Sequence, residues 1–294
     1  MRRFLAISRT AAIETMSQPL SAILFPAAVL SVHLLPALQY HRFGAPGRLA
    51  RETGLSALFV FGLLFAVPAA VRAICHELET GTAAAALALG VSRALYFAGR
   101  LAGVLAVFAL FFVGVFSASS LSSFSCMKAA TIFTEHGVVR VWGPAFAAGV
   151  CGALMPFALA ALLNRFFGRR FCLWTCLLAV AFQLPGFALL DSTAPVVAVA
   201  PAFCSLAAAC IAYVAMAAAL ATHLKANGVA AFVVAAVALG FLCPVRFLVP
   251  DMRVFWLEEG CLPQAAAMPV AAGIALAALW LLLGCVLLER KELG

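Results

Sequence analysis

Side chains able to do chemistry are sparse in this chain: eleven acids, five histidines and ten cysteines among 294 residues. Glu258 and Glu259 form the best carboxylate doublet for general acid–base work, although two adjacent acids between apolar segments also make a plain solvated cap. Cys172 and Cys176 share a helix face at i,i+4, but no His or acid lies beside them to complete a metal set. His33 and Gln183 fall inside apolar runs. Polar groups at membrane depth are pathway candidates by default, and a His bonded to a neighbouring carbonyl is their plainer role. The most coherent set is Glu77, Glu79, Gly81, Thr82, Ser92 and Arg93, grouped around an alanine-rich piece. Charges and caps of this kind suit docking of another body and carry no bond-making chemistry. The chain has no GxxxxGK[ST] phosphate loop, no HExxH and no GxSxG.

The elements that must position these residues are membrane helices. Hydrophobic residues make up 66% of the chain and charged ones 10%, with a mean hydropathy of +1.13. A soluble domain carries about 25% charged residues. The expected class is therefore all-α, one polytopic transmembrane bundle over residues 1–294. At about 20 apolar residues per crossing, eight spans are expected, six to eight if some merge or re-enter. They run near Leu20–Leu38, Leu55–Ile74, Leu95–Phe116, Trp142–Leu163, Phe171–Leu190, Cys204–Thr222, Val229–Phe247 and Ala265–Leu288. Residues 3–16 interleave apolar side chains with arginines, the pattern of an interfacial helix, and a retained segment is expected because no cleavage site follows. The segment from Ser192 to Phe203 reads as too short to cross, and SASSLSSFS as the polar end of the third span.

With the N-terminus inside, twelve of the nineteen Lys and Arg fall on the inner side and seven outside, which orients both termini to the cytoplasm. The basic residues do not cluster on a soluble face, so a nucleic-acid partner is not expected. Most cysteines lie in apolar runs as small hydrophobes. Cys126 and Cys261 fall in loops on the expected outer side, where an oxidising compartment allows a disulfide. Tyr40, Trp142 and Trp256 near outer ends, with Tyr96 and Trp174 near inner ends, fit aromatic belts.

Local chemistry organises the 75–94 interval. Glu77 and Glu79 close the second span, Gly81 lets the backbone turn, and Thr82 can cap a short helix over Ala83–Leu89. Gly90 ends that helix and Ser92 caps the next, which continues through Arg93 and Arg100 into the third span. The expected product is a short helix across a cytoplasmic hairpin.

Glu77-Leu-Glu79-Thr-Gly81-Thr82, then Val91-Ser92-Arg93 and Gly99-Arg100, resembles the E-x-E-x-G-T…P-[VI]-S-R…G-[KR] pattern of ABC transporter permeases of the type-2 exporter class. Arg9-Thr10…Glu14…Pro19 is similar to that family's amphipathic entry helix, and Pro250–Phe255 to an outer segment of some members. Two features depart from the pattern: Gly90 stands where the family carries Pro, and eight spans exceed its common six. The resemblance implies a permease subunit of an ATP-driven exporter in a bacterial inner (plasma) membrane, with 77–93 as the coupling helix that meets a separate ATPase subunit. It implies a homodimer or a heterodimer with a sister permease, no catalysis in this chain, and ATP with magnesium held by the partner. The alternative from the residues alone is a stand-alone secondary transporter or membrane enzyme using His33, Gln183 and Glu258/Glu259.

Overall fold

The computed structural model describes residues 1–38, 46–88, 90–128, 130–134, 137–141, 143–168, 170–189, 194–242 and 263–291. Among them the fold is all-α, with six helices long and apolar enough to cross a membrane. These spans are Pro19–Leu38, Leu49–Glu79, Arg93–Cys126, Pro144–Phe166, Ala200–Leu220 and Ala267–Arg290. The chain is thus an integral, polytopic, mostly helical membrane protein.

In chain order the helices are α1 (Arg2–Met16), α2 (Pro19–Leu38) and α3 (Pro46–Val71), which runs on through a π-helical turn (Arg72–His76) into α4 (Glu77–Glu79). Then come α5 (Thr82–Ala88), α6 (Arg93–Lys128), a hairpin of β1 (Ala130–Thr134) and β2 (Gly137–Val141), α7 (Pro144–Phe167) and α8 (Phe171–Ala181). A 3-10 turn (Leu184–Leu189), α9 (Ala194–Leu220), α10 (Ala226–Leu242) and α11 (Pro263–Arg290) complete them.

The six long spans fall within the six to eight expected. At the fifth and seventh expected spans the described helices are shorter, α8 with 11 residues and α10 with 17. Other expectations are corrected. Residues 194–203, expected as a separate piece, join the sixth span as the start of α9, since Pro195 near its first turn costs no internal hydrogen bond. The serine-rich segment forms the end of the third span, Arg93–Cys126, as expected. It is helical within the 36-residue α6, and Ser117, Ser119, Ser120, Ser122, Ser123 and Ser125 are all buried. Cys126, expected in a loop, is likewise buried on α6, whereas Cys261 lies outside the described residues. The polar interval after α6 carries β-branched ATIFT and GVVRV, which pair as an antiparallel ribbon from Ala130↔Val141 to Thr134↔Gly137. Arg48 and Arg51, read as loop residues, ride on α3, and Arg51 is buried.

Contacts divide the chain into two compact units. The first comprises Met1–Met16, Gly62–Ala109 and Cys204–Gly294. Here Gly99 and Gly103, one turn apart on α6, form a shallow trough for α1. A Cβ at Gly99 lies 3.0 Å from Ile7 Cγ2, and one at Gly103 lies 2.5 Å from Ala11 Cβ. Lipid tails are as apolar as the helices, so close backbone approach, more than hydrophobic burial, holds such contacts together. The second unit comprises Ser17–Phe61 and Leu110–Phe203. Its core includes Phe25 edge-on to Phe111 at 4.9 Å and Phe116 edge-on to Phe203 at 5.1 Å, each such pair contributing about 0.5–1.5 kcal/mol beyond its area. In this unit α2, α7 and α8 pack pairwise against one another.

Candidate functional site

In the first unit, the residues between the second and third long spans fold as a short excursion. The π-helical turn at Arg72–His76 widens the end of the span, a feature found often at functional positions. Thr80 closes the following turn, its N–H and its hydroxyl both donating to the His76 carbonyl at 2.9 Å. Gly81 then takes φ +74, open to glycine and costly for residues with a Cβ. The seven residues of α5 follow, with Ala83 buried and Glu79, Thr80, Gly81, Thr82, Ala84 and Ala88 exposed. Gly90 leaves at φ +77, a conformation closed to the proline of the family pattern, whose φ is held near −65°.

Ser92 caps α6 as expected: its Oγ accepts from Leu95 N–H at 3.3 Å, the third residue of the helix. Thr82 acts differently from the expected cap. Its hydroxyl donates to the Glu77 carbonyl at 3.3 Å and lies 3.0 Å from Thr80 Oγ1, which ties α5 back to the preceding turn. Glu79 accepts from the Cys75 thiol at 3.3 Å. Arg93 does not meet Glu79. Its guanidinium donates to the carbonyls of Glu289 (2.9 Å) and Lys291 (2.7 Å), neutralising the negative end of α11. The same helix end receives His223, whose Nε2 donates to the Leu287 carbonyl at 3.2 Å, while Lys291 Nζ donates to the Thr222 carbonyl at 2.6 Å beyond α9.

Sequence reasoning placed Arg100 in the pattern but gave it no partner, and it is the residue that ties this excursion together. Arg100 is 3% exposed. Its NH2 pairs with Glu14 at 2.7 Å and with Glu77, and its Nε donates to the Ala73 carbonyl at 3.3 Å. One guanidinium thus joins α1, the π turn and α4. Arg3 adds a second tie, donating to the Gly90 carbonyl at 2.9 Å. The available signal was a charged residue inside the Gly99–Gly103 spacing of an otherwise apolar helix start, with Glu14 the single acid of α1. Nothing local in sequence links residues 86 positions apart.

His33 and Gln183 belong to the second unit, and the structure brings them together. His33 Nε2 donates to Gln183 Oε1 at 3.1 Å, and both side chains are fully buried. Cys172 and Cys176 lie one turn apart on α8, Cys176 buried. The Glu258/Glu259 doublet, the segment 250–255, Tyr40, Trp142 and Trp256 lie outside the described residues.

Comparison with known protein families, with curated proteins and with solved structures gives no match.

Proposed function

We propose that this chain is the permease subunit of an ATP-driven ABC exporter, coupling hydrolysis in a separate ATPase subunit to translocation. The observation that carries the reading is the excursion at residues 77–93: a short helix between two positive-φ glycines, exposed on its small-residue side, tied at Glu77 to Arg100 of the long helix α6 and at Gly90 to Arg3 of α1. Such an element transmits force only if its contacts differ between the nucleotide-bound and nucleotide-free partner. The six long apolar helices support the reading, being the span number common in the family it resembles. Gly90 in place of proline sets its helix exit apart.

In this reading Glu77, Glu79, Gly81, Thr82, Ser92 and Arg93 form or support the ATPase contact, and this chain does no bond chemistry itself. It sits in a bacterial inner membrane with both termini in the cytoplasm, pairs with itself or a sister permease, and binds no nucleotide or magnesium of its own.

The test is a pull-down from the native membrane, followed by ATPase assays of the complex. Co-purification with a Walker-motif protein whose ATPase activity changes in Glu79→Ala or Gly81→Pro supports the reading. Ion-driven flux in liposomes by this chain alone refutes it and favours a secondary transporter built on the buried His33–Gln183 pair.

A further inference from the structure

The second unit holds a polar site that the coupling excursion does not use. We propose that His33 and Gln183 form a binding site for a neutral hydroxyl- or amide-bearing group inside the membrane, where α2 and α7 meet the break after α8.

Four observations carry it. The first is depth: His33 lies about 21 Å along α2 from Pro19, within the ~30 Å hydrocarbon core. The second is unmet hydrogen bonding: His33 Nδ1 and Gln183 Nε2 are buried with no partner among the described residues, although their side chains are 1% and 0% exposed. Each buried unpaired group opposes folding, and a bound partner for both removes that cost. The third is the backbone. α8 stops at Ala181, Gln183 occupies the turn, and a 3-10 turn begins at Leu184 with Pro185, which cannot continue the helix. Broken helices at membrane depth are tolerated where buried in protein or lining a pathway, and transporter sites recur at such breaks. Ser117 of α6 donates its hydroxyl to the Gln183 carbonyl, holding the break in place. The fourth is a neutral wall beside the two atoms: Gly149 and Gly152, one turn apart on α7, let the helix backbone close onto the pair, whose imidazole and amide take up the room that side chains would fill. A Cβ at Gly149 lies 2.5 Å from His33 Nδ1, and one at Gly152 lies 2.8 Å from Gln183 Nε2.

The chemistry follows from the bond already made. Because Gln183 Oε1 accepts from His33, Nε2 carries the ring proton and Nδ1 presents a bare lone pair. Gln183 Nε2 still holds two donating hydrogens. A hydroxyl that donates to Nδ1 and accepts from the amide satisfies both, as does an amide through its N–H and C=O. The groups placed against the pair, namely Ser117, Gly149, Gly152 and Phe182, are all neutral. A carboxylate or phosphate meets the Nδ1 lone pair, and an ammonium meets the amide hydrogens, so neither charge is compensated.

The site is independent of what energises the chain, and its test needs no ATPase. Thermal unfolding of the purified full chain in detergent is followed with acetamide, glycerol, glucose and N-acetylglucosamine, against glutamate, phosphate and tetramethylammonium. The expected result is a rise of about 5 °C with a neutral probe near 100-fold its Kd. It appears at millimolar concentration, grows with the logarithm of probe concentration, and is lost in both His33→Phe and Gln183→Met. General solute stabilisation grows linearly with concentration and persists in the variants. Cys151→Ala, on the exposed side of α7, keeps the response and controls for damage to the fold. A logarithmic, variant-sensitive shift with a charged probe overturns the neutral assignment. No such shift with any probe, or a shift retained in both variants, overturns the site and leaves the pair as an interhelical clamp.

Discussion

Arg100→Met is the perturbation that most directly tests the architecture of the coupling excursion. The variant keeps the length and apolar stem of the side chain and deletes the guanidinium that joins Glu14, Glu77 and the Ala73 carbonyl. The two carboxylates are not equivalent. Glu77 is 17% exposed and Glu14 51% exposed, so solvent screens the second far more than the first. Breaking a buried pair by removing one partner costs about 3–5 kcal/mol, because the remaining charge stays desolvated. An exposed pair contributes roughly 0.2–1 kcal/mol. Arg100→Met is therefore expected to destabilise the chain by about 3–5 kcal/mol, Glu14→Gln by less than about 1 kcal/mol. A double-mutant cycle of Arg100→Met with Glu77→Gln should return a coupling of about 2 kcal/mol, within the range for residues sharing one network. The assay is equilibrium unfolding of the purified chain in detergent micelles, read by tryptophan fluorescence. Equal coupling of Arg100 to Glu14 and Glu77, or coupling to Glu77 below about 0.5 kcal/mol, refutes the assignment of Arg100 as the buried tie.

Gly103→Leu places a side chain where Ala11 Cβ lies 2.5 Å from the first added carbon, so α1 should lift from α6; trypsin cleavage at Arg9 should accelerate relative to wild type. Ser92→Ala removes the acceptor for Leu95 N–H and should cost about 1 kcal/mol, read as faster hydrogen exchange at Leu95 and Tyr96 and no change near Ser125. Arg93→Ala uncovers the Glu289 and Lys291 carbonyls, and should speed carboxypeptidase trimming of the C-terminal turn while leaving α2 protection unchanged. Gly81→Ala meets no neighbour within 4 Å but must adopt φ +74; a loss of about 1 kcal/mol without loss of membrane insertion is expected, and a neutral effect contradicts the positive-φ turn.

Apolar run length determined the class and a range of six to eight spans that contains the six long ones, because a backbone in lipid must satisfy its own hydrogen bonds and helices are the local way to do so, while interleaved arginines marked the helical N-terminal segment. Cap chemistry at Ser92 and the positive-φ turns at Gly81 and Gly90 were legible for the same reason: each depends on residues within a few positions of one another. The failures concern where helices stop. α6 runs to Lys128 because its serine hydroxyls find acceptors, Ser120 on Phe116 O within the helix and Ser122 on Val32 O of α2. A polar run thereby becomes buried helix, where composition suggests a membrane exit. α9 absorbed a two-proline segment: Pro195 in its first turn costs no internal bond, whereas Pro201 lies inside the helix and removes one. Only tertiary structure decided the partners: Arg100 with Glu14 and Glu77, Arg93 with the end of α11, His33 with Gln183. These pairs join positions 23 to 198 residues apart. Such contacts exist only once helices are packed side by side, and helix packing in lipid is set by glycine-sized approach and complementary polar groups on facing surfaces, information that no single span carries.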